Sequence, residues 1–253
     1  MSKTHLIVPD PHAHPEYSNV RADYLAKLIK DVRPDVVINM GDAADMPSLS
    51  SYDKGTKGFE GRNYRKDINA HLEFQDRMWA PVKRSKKKLP YRVILEGNHE
   101  HRIKRAINAS PELDGAISFS DLYFDSYYDS VVEYTGNTPG VVTIDGVSYA
   151  HYFISGVGQR PISGEHQAYT LLTKQFTSCT QGHTHTTDFA VRTDVNGKRM
   201  QGLVCGVYQD YWSDWAGEAN RMWWPGVVVK RNVVDGHYDP QWISMEALRK
   251  AYG

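Results

Sequence analysis

Histidine and carboxylate residues of the kinds that hold transition metals recur in five short clusters along the chain: Asp10 with His12, Asp42, Asn98 with His99, His151, and His183 with His185. Carboxylate oxygens mixed with imidazole nitrogens suit Mn, Fe, Zn, Co or Ni better than Ca or Mg alone. Cations held this way polarise an ester oxygen and acidify water, which is the chemistry of metal-assisted hydrolysis. The clusters contain no serine or cysteine placed to act as a nucleophile, so water is the expected attacking group. In Asp10/His12 and His183/His185 the members are two residues apart. On an extended segment such residues point the same way, so each pair is expected to reach toward one centre. His5, His14, His71, His101, His166 and His237 belong to no such pattern and read as surface or hydrogen-bonded core residues. Of these, His14 is near enough to His12 to meet a substrate.

Five clusters can meet at one point only if the elements before them end side by side. Leu6, Ile7 and Val8 read as a short buried strand directly before Asp10. Val20, Tyr24, Leu25, Leu28, Ile29 and Val32 then recur at helical spacing, with Ser18 as the expected cap and Pro34 as the stop. Val36, Val37 and Ile38 read as a second strand, and a β-α-β unit with all-apolar strands indicates an α/β fold with helices over the sheet. A long polar connection over 46–66 leads to a helix carrying Ile68, Leu72, Trp79 and Val82, and then to a strand over 91–95. Beyond residue 140 the pattern changes. Strand runs over 141–149 and 187–207 are broken by Asp145-Gly146 and Asn196-Gly197, turn pairs that predict mainly antiparallel pairing. A helix over about 165–176 interrupts them. Trp212, Trp215, Trp223 and Trp224 follow, then a strand over 227–234 and a short C-terminal helix. Ligand clusters just past strand ends are where α/β sheets place their sites.

Taken together and in order, Asp10-Pro11-His12, Gly41-Asp42-Ala43-Ala44-Asp45, Gly97-Asn98-His99-Glu100, His151 and Gly182-His183-Thr184-His185 resemble the signature of the calcineurin-like metallophosphoesterases. Single blocks of this kind arise by chance, but the ordered set spans residues 10–185 and is specific. The stretches 51–55 and 236–244 further resemble bacteriophage-encoded members of that superfamily. The resemblance implies an α/β/β/α sandwich of two mixed sheets flanked by helices. It also implies two divalent cations, Mn favoured over Fe, Zn, Co or Ni. Asp10, His12, Asp42 and His185 would hold one cation and Asp42, Asn98, His151 and His183 the other, with Asp42 bridging. His99 would contact phosphate or protonate the leaving oxygen, oriented by Asp45 or Glu100. Arg102 is either a phosphate clamp or an ordinary ion-pair partner, and Gly41, Gly97 and Gly182 would let backbone approach the site closely.

Composition bounds what such a site could act on. At 253 residues, 40% hydrophobic and 24% charged, the chain is expected to fold as one domain over 1–253 rather than to be disordered or a coiled coil. Apolar runs never exceed three residues, which predicts a protein outside membranes and without an export signal. Cys179 and Cys205, the only cysteines, fit a reducing cytoplasm, the host's if the gene is a phage's. Thirty basic and thirty acidic residues cancel, which argues against a globally basic nucleic-acid binder, but the charges are segregated. Basic residues concentrate at 54–66, 83–88 and 102–105, while 106–159 contains no Lys or Arg. Because the first two basic stretches flank ligand blocks and aromatic residues could stack bases, the expected substrate is a phosphodiester, in DNA, RNA or a nucleotide. A phosphomonoesterase acting on protein or small molecules is the alternative. A non-catalytic scaffold of the same fold should have lost ligands, whereas this chain has the full set.

Overall fold

The first strand, β1 (Lys3–Val8), is buried from His5 to Val8 on both faces, and its parallel neighbour β2 (Val36–Asn39) is buried throughout. This is why both read as unbroken apolar runs rather than alternating ones. The structure is a computed structural model describing residues 2–52, 54–85 and 87–253; Asp53 and Lys86, the latter part of the second basic stretch, lie outside the described residues. Between β1 and β2 runs α1 (Arg21–Val32), which ends at Arg33 in a left-handed conformation, with Pro34 preventing continuation. Ser18 is not its N-cap: that position is Val20, and the Ser18 hydroxyl accepts the Val20 N–H one step earlier.

After two short 3₁₀ turns comes α2 (Tyr64–Arg84), capped by the Asn63 side chain, which accepts from the Arg65 and Lys66 N–H groups. The chain continues through β3 (Tyr91–Leu95), α3 (His101–Ala109), the single turn α4 (Phe124–Tyr127) and β4 (Ser130–Val132). It then forms the hairpin β5 (Val142–Ile144) and β6 (Val147–Ala150), and a small ribbon of β7 (Ile154–Ser155) and β8 (Arg160–Pro161). Next come α5 (Gln167–Gln175), β9 (Cys179–Gln181), β10 (Thr187–Thr193), β11 (Arg199–Cys205), β12 (Gly226–Val234), β13 (His237–Ser244) and α6 (Met245–Tyr252).

Two mixed sheets result, ordered β13-β12-β1-β2-β3-β4 and β10-β11-β9-β6-β5. Ile7, Ile38, Met40, Val93 and Leu95 of the first meet Val147, Tyr149, Leu203 and Cys205 of the second in a shared core. The other face of the first sheet packs Leu6, Val8, Val37 and Ile94 against Leu25, Ile29, Phe74, Trp79 and Leu248 of α1, α2 and α6. α5 covers the second sheet through Leu171, against Ala150, Cys179 and Val204. The layers are therefore helix, sheet, sheet, helix, as the resemblance implies. Antiparallel pairing does not fill the later chain: β9 is parallel to both β6 and β11, because α5 crosses over the sheet between β6 and β9. Asp145-Gly146 makes the expected two-residue turn, both residues at positive φ. The second hairpin uses residues 194–198, with the Asp194 side chain accepting from the Asn196 and Lys198 N–H groups. Among the described residues no helix is long and apolar enough to cross a membrane.

Candidate metal centre

Each expected ligand follows a strand: Asp10 and His12 after β1, Asp42 after β2, Asn98 and His99 after β3, His151 after β6, His183 and His185 after β9. The segments carrying them are not extended. Asp10 (φ 37°), His12 (φ 44°), Asp42 (φ 47°), His183 (φ 68°) and His185 (φ 61°) all sit in the left-handed region, where a non-glycine residue costs roughly 1–3 kcal/mol unless its surroundings hold it. Tight left-handed turns, not strand pleating, bring the paired side chains round. The turns are tied to one another: His12 N–H donates to the Asp42 carbonyl at 2.8 Å, His183 N–H to Asp10 Oδ2 at 2.6 Å and His99 N–H to Asp42 Oδ1 at 2.9 Å.

The tied turns deliver three overlapping groups whose ligand-type atoms lie within 4.8 Å of one another: Asp10, His12 and His185; Asp42, His151 and His183; and His12, Asp42 and His99. Asn98 joins the second, its Oδ1 2.9 Å from His151 Nε2. Asp42 Oδ2 lies between the groups, 3.3 Å from His151 Nε2 and 3.9 Å from both His12 Nε2 and His99 Nε2. His12 and His185 turn their Nε2 atoms toward each other at 3.0 Å. Acceptors behind the rings fix which nitrogen faces inward. His12 Nδ1 meets Asp45 Oδ1 at 2.8 Å, His151 Nδ1 the Met40 carbonyl at 2.9 Å and His99 Nδ1 the Asp45 carbonyl at 2.6 Å. Each Nδ1 therefore donates outward, and each Nε2 faces into the cluster.

So many inward acceptors need positive charge. Burial pushes the Asp10 carboxyl up to about 7 despite His151 nearby, and its Oδ1 is buried with no hydrogen-bond partner among the described residues. Burial lowers the His151 imidazole, but the carboxylates of Asp42 and Asp10 outweigh this and push it up to about 10. Burial, with His151 beside it, drives His183 down to about 3, and burial drives His185 down as well. Neutral His183 and His185, the carboxylates of Asp10 and Asp42 and the orphaned buried oxygen fit divalent cations, whose binding would displace the proton that His151 holds.

The surrounding residues have distinct tasks. Asp45 Oδ1 serves both His12 and His99, the latter at 3.2 Å. Glu100 does not orient His99. Its Oε2 accepts from the Asp42 and Gly97 N–H groups and its Oε1 from Ala44 N–H, which locks the loops after β2 and β3 together. Arg102 forms no ion pair among the described residues; it donates to the Asp45 and Met46 carbonyls and lies 3.1 Å from His99 Nε2. At Gly97 an added Cβ would come within 2.2 Å of Asp42 Oδ1, and at Gly182 within 2.4 Å of Asp10 Oδ1, so both glycines permit close approach to carboxylates.

Sequence reasoning missed three supports. Fully buried Arg21 donates to the Pro11 and His12 carbonyls, the Tyr211 hydroxyl donates to the His12 carbonyl at 2.7 Å, and Trp223 packs edge-on against His185. None carries a local signal: Tyr211 and Trp223 come from distant segments, and Arg21, nine residues after His12, is an ordinary first residue of α1 by its pattern.

A cleft of about 360 Å³ opens over the cluster, with Arg62, Arg102, Tyr52 and Trp215 in its walls and His14 at its edge. Arg62 and Lys66, from the first basic stretch, thus border this end of the molecule. The described residues of the stretch over 83–88 do not. Lys87 and Lys88 precede β3 while Asn98 and His99 follow it, so the strand separates them by about 15 Å at roughly 3.3 Å per residue. That stretch flanks the ligand block only in sequence.

No family model and no curated protein matches the chain. Among solved structures it is similar to one at 11% identity, TM-score 0.38, covering 96% of this chain and 100% of that one. It is also similar to TT1561 of Thermus thermophilus at 10% identity, TM-score 0.30, covering 82% and 90%. Likenesses this weak carry no argument about chemistry, and what is firm is a buried histidine and carboxylate cluster able to hold metal ions.

Proposed function

We propose that the chain is a metal-dependent phosphoester hydrolase of the calcineurin-like metallophosphoesterase type, folding as one domain and acting on phosphodiesters in nucleic acids or nucleotides. The observation carrying this reading is the convergence of inward Nε2 atoms, Asp42 and the orphaned, fully buried Asp10 Oδ1 beneath an open cleft that Asp42, Asn98, His99, His183 and His185 line. Two divalent cations, when bound, would supply the charge that acidifies water and neutralises phosphate oxygens. Asp10, His12 and His185 would hold one, Asn98, His151 and His183 the other, and Asp42 both. His99, its Nδ1 held by the Asp45 carbonyl, offers Nε2 to the cleft as the atom at which a proton is exchanged with the leaving oxygen. A substrate oxygen must displace the Arg102 guanidinium from that nitrogen, which leaves the guanidinium free to face phosphate. The largely exposed rings of Tyr52 and Trp215 beside the cleft favour substrates with a flat base, and Arg62 adds positive charge.

The test is a Mn-supplemented panel of bis-p-nitrophenyl phosphate, p-nitrophenyl phosphate, cyclic nucleotides, and single- and double-stranded DNA. Diester hydrolysis that excess chelator abolishes is expected. Hydrolysis of the monoester alone would replace the diesterase with a phosphatase, and full activity in chelator would remove the metal from the reading.

A further inference from the structure

At the opposite ends of the parallel strands lies a broader cavity of about 970 Å³, walled by the end of α1, the segments leading into β2 and β3, and β5. Ile29, Val36, Val82, Leu89, Val142 and Ile144 make its lining largely aliphatic. Lys30, Arg33, Lys87 and Lys88 also line it, and none of these four has an acidic partner among the described residues. The two acids that reach it are already engaged. Asp145 pairs with Lys3 at 3.0 Å and with His5 Nε2 at 2.9 Å, and Asp35 accepts the Thr4 N–H at 2.8 Å. Like charges gathered over a low-dielectric floor raise the local potential, and an anion relieves it.

Size, charge and surface narrow the ligand. The volume falls at the upper end of the roughly 300–1,000 Å³ typical of small-molecule sites. The lining carries five cations among the described residues, Lys3 included, against the carboxylates of Asp35 and Asp145, and the excess of three positive charges calls for about three negative ones, more than a fatty acid or a phosphomonoester carries. Tyr91, 48% exposed, is the one aromatic residue among the described residues of the lining. A nucleic-acid track would present a series of aromatic faces, whereas a single base needs one.

We propose that this groove is a second binding site, separate from the histidine cluster, for a nucleoside di- or triphosphate. The polyphosphate lies among Lys30, Arg33, Lys87 and Lys88, and the base and ribose cover Tyr91 and the aliphatic floor. Nothing in this assignment depends on the hydrolytic reading of the other site.

Calorimetric titration of ATP into the full chain in excess chelator tests it, because chelation removes cations that could hold phosphate at the histidine cluster. Saturable binding is expected. It should weaken about tenfold or more in Lys30→Glu/Arg33→Glu and in Lys87→Glu/Lys88→Glu, as loss of charge-assisted hydrogen bonds demands. Asp42→Asn should leave it unchanged, and Tyr91→Ala should weaken it several-fold. These lysines and Arg33 lie at the surface, so unaltered thermal melting will show that the variants fold. The proposal is overturned by absence of saturable binding at millimolar ATP, or by affinity indifferent to both charge reversals. Equal affinity for pyrophosphate would overturn it as an inorganic-anion site, and tighter binding of dodecyl phosphate or of a DNA oligonucleotide would assign the groove to a different ligand.

Discussion

The two ends of the parallel strands carry opposite electrostatic problems. At the carboxyl ends, carboxylates and lone-pair nitrogens are packed out of water, so close that Asp42 Oδ2 lies within 3.9 Å of three imidazoles. At the amino ends, lysines and an arginine stay solvated around an aliphatic depression. The first arrangement is able to hold cations, and the second is suited to an anion. The difference follows from connectivity. Loops after β1, β2 and β9 turn inward through left-handed residues tied by hydrogen bonds to one another and to the loop after β3, while the segments entering β2 and β3 remain on the surface, where long cationic side chains cost nothing to hydrate.

The sharpest break of this comparison would come from Asp42→Asn, which removes the carboxylate placed between the groups. It should empty or weaken the metal centre and lower kcat by about 10⁴-fold or more, read by metal analysis alongside turnover. Retained metal with normal turnover would mean that the cluster is not the functional end.

His99→Ala should lower kcat by about 10²–10⁴-fold on substrates with poor leaving groups and by less on nitrophenyl esters, with both metals retained. His99 belongs to one of the three ligand-capable groups, so a metal site emptied by this change would make it a ligand instead.

Between the two ends lies a third environment. Lys230 is fully buried between the rings of Tyr149 and Tyr238, 4.6 and 4.1 Å away, with Thr180 Oγ1 as its hydrogen-bond partner. Burial lowers its pKa to about 7. Its folded value is thus below its unfolded one, so the unfolded chain binds the extra proton and stability rises as pH increases from about 7 toward 10.5. Between pH 7.5 and 8.5 the Lys230 contribution should grow by about 1 kcal/mol, from 1.36 kcal/mol per unit, against the opposite contribution of His151, which when folded keeps its proton up to about 10. Above that range the buried thiols of Cys179 and Cys205, which burial pushes up, act in the opposite sense. Denaturant unfolding of wild type and Lys230→Met across this window measures it, and a variant with the same slope as wild type would refute it.

The smallest effects separate the two basic regions. Lys87→Ser/Lys88→Ser should leave the salt dependence of DNA hydrolysis unchanged and stability within about 0.5 kcal/mol. Arg62→Ser/Lys66→Ser should make that dependence shallower by about 0.7–0.9 per lost phosphate contact. The reverse outcome would show that a nucleic-acid substrate spans the molecule from end to end.

Much of this was legible in the residues. β1, β2 and β3 announce themselves because buried parallel strands tolerate little but aliphatic side chains, and the ligand clusters stand out because few other reasons place Asp, Asn and His directly after such strands. Asp145-Gly146 marked its turn because both positions need positive φ. Other features left no mark. The spacing of Asp10 and His12 says nothing of the left-handed turns that aim them, since a residue's conformation here is imposed by hydrogen bonds from loops remote in the chain. Glu100 sits beside His99 in sequence yet points away to clamp Asp42, Ala44 and Gly97.

By itself, then, the sequence determined the α/β class and which residues are of a kind to hold a metal, because hydrophobic periodicity and ligand softness are properties of residue type and local order, while the layered sandwich was what the resemblance implied. Only the tertiary structure decided which basic stretch borders the cleft, which carboxylate orients His99, and that Arg21, Tyr211 and Trp223 support the centre. Those are questions of distance between segments remote in sequence. A five-residue strand between Lys88 and Asn98 is enough to place near neighbours in sequence at opposite ends of the fold, because an extended chain advances about 3.3 Å with every residue.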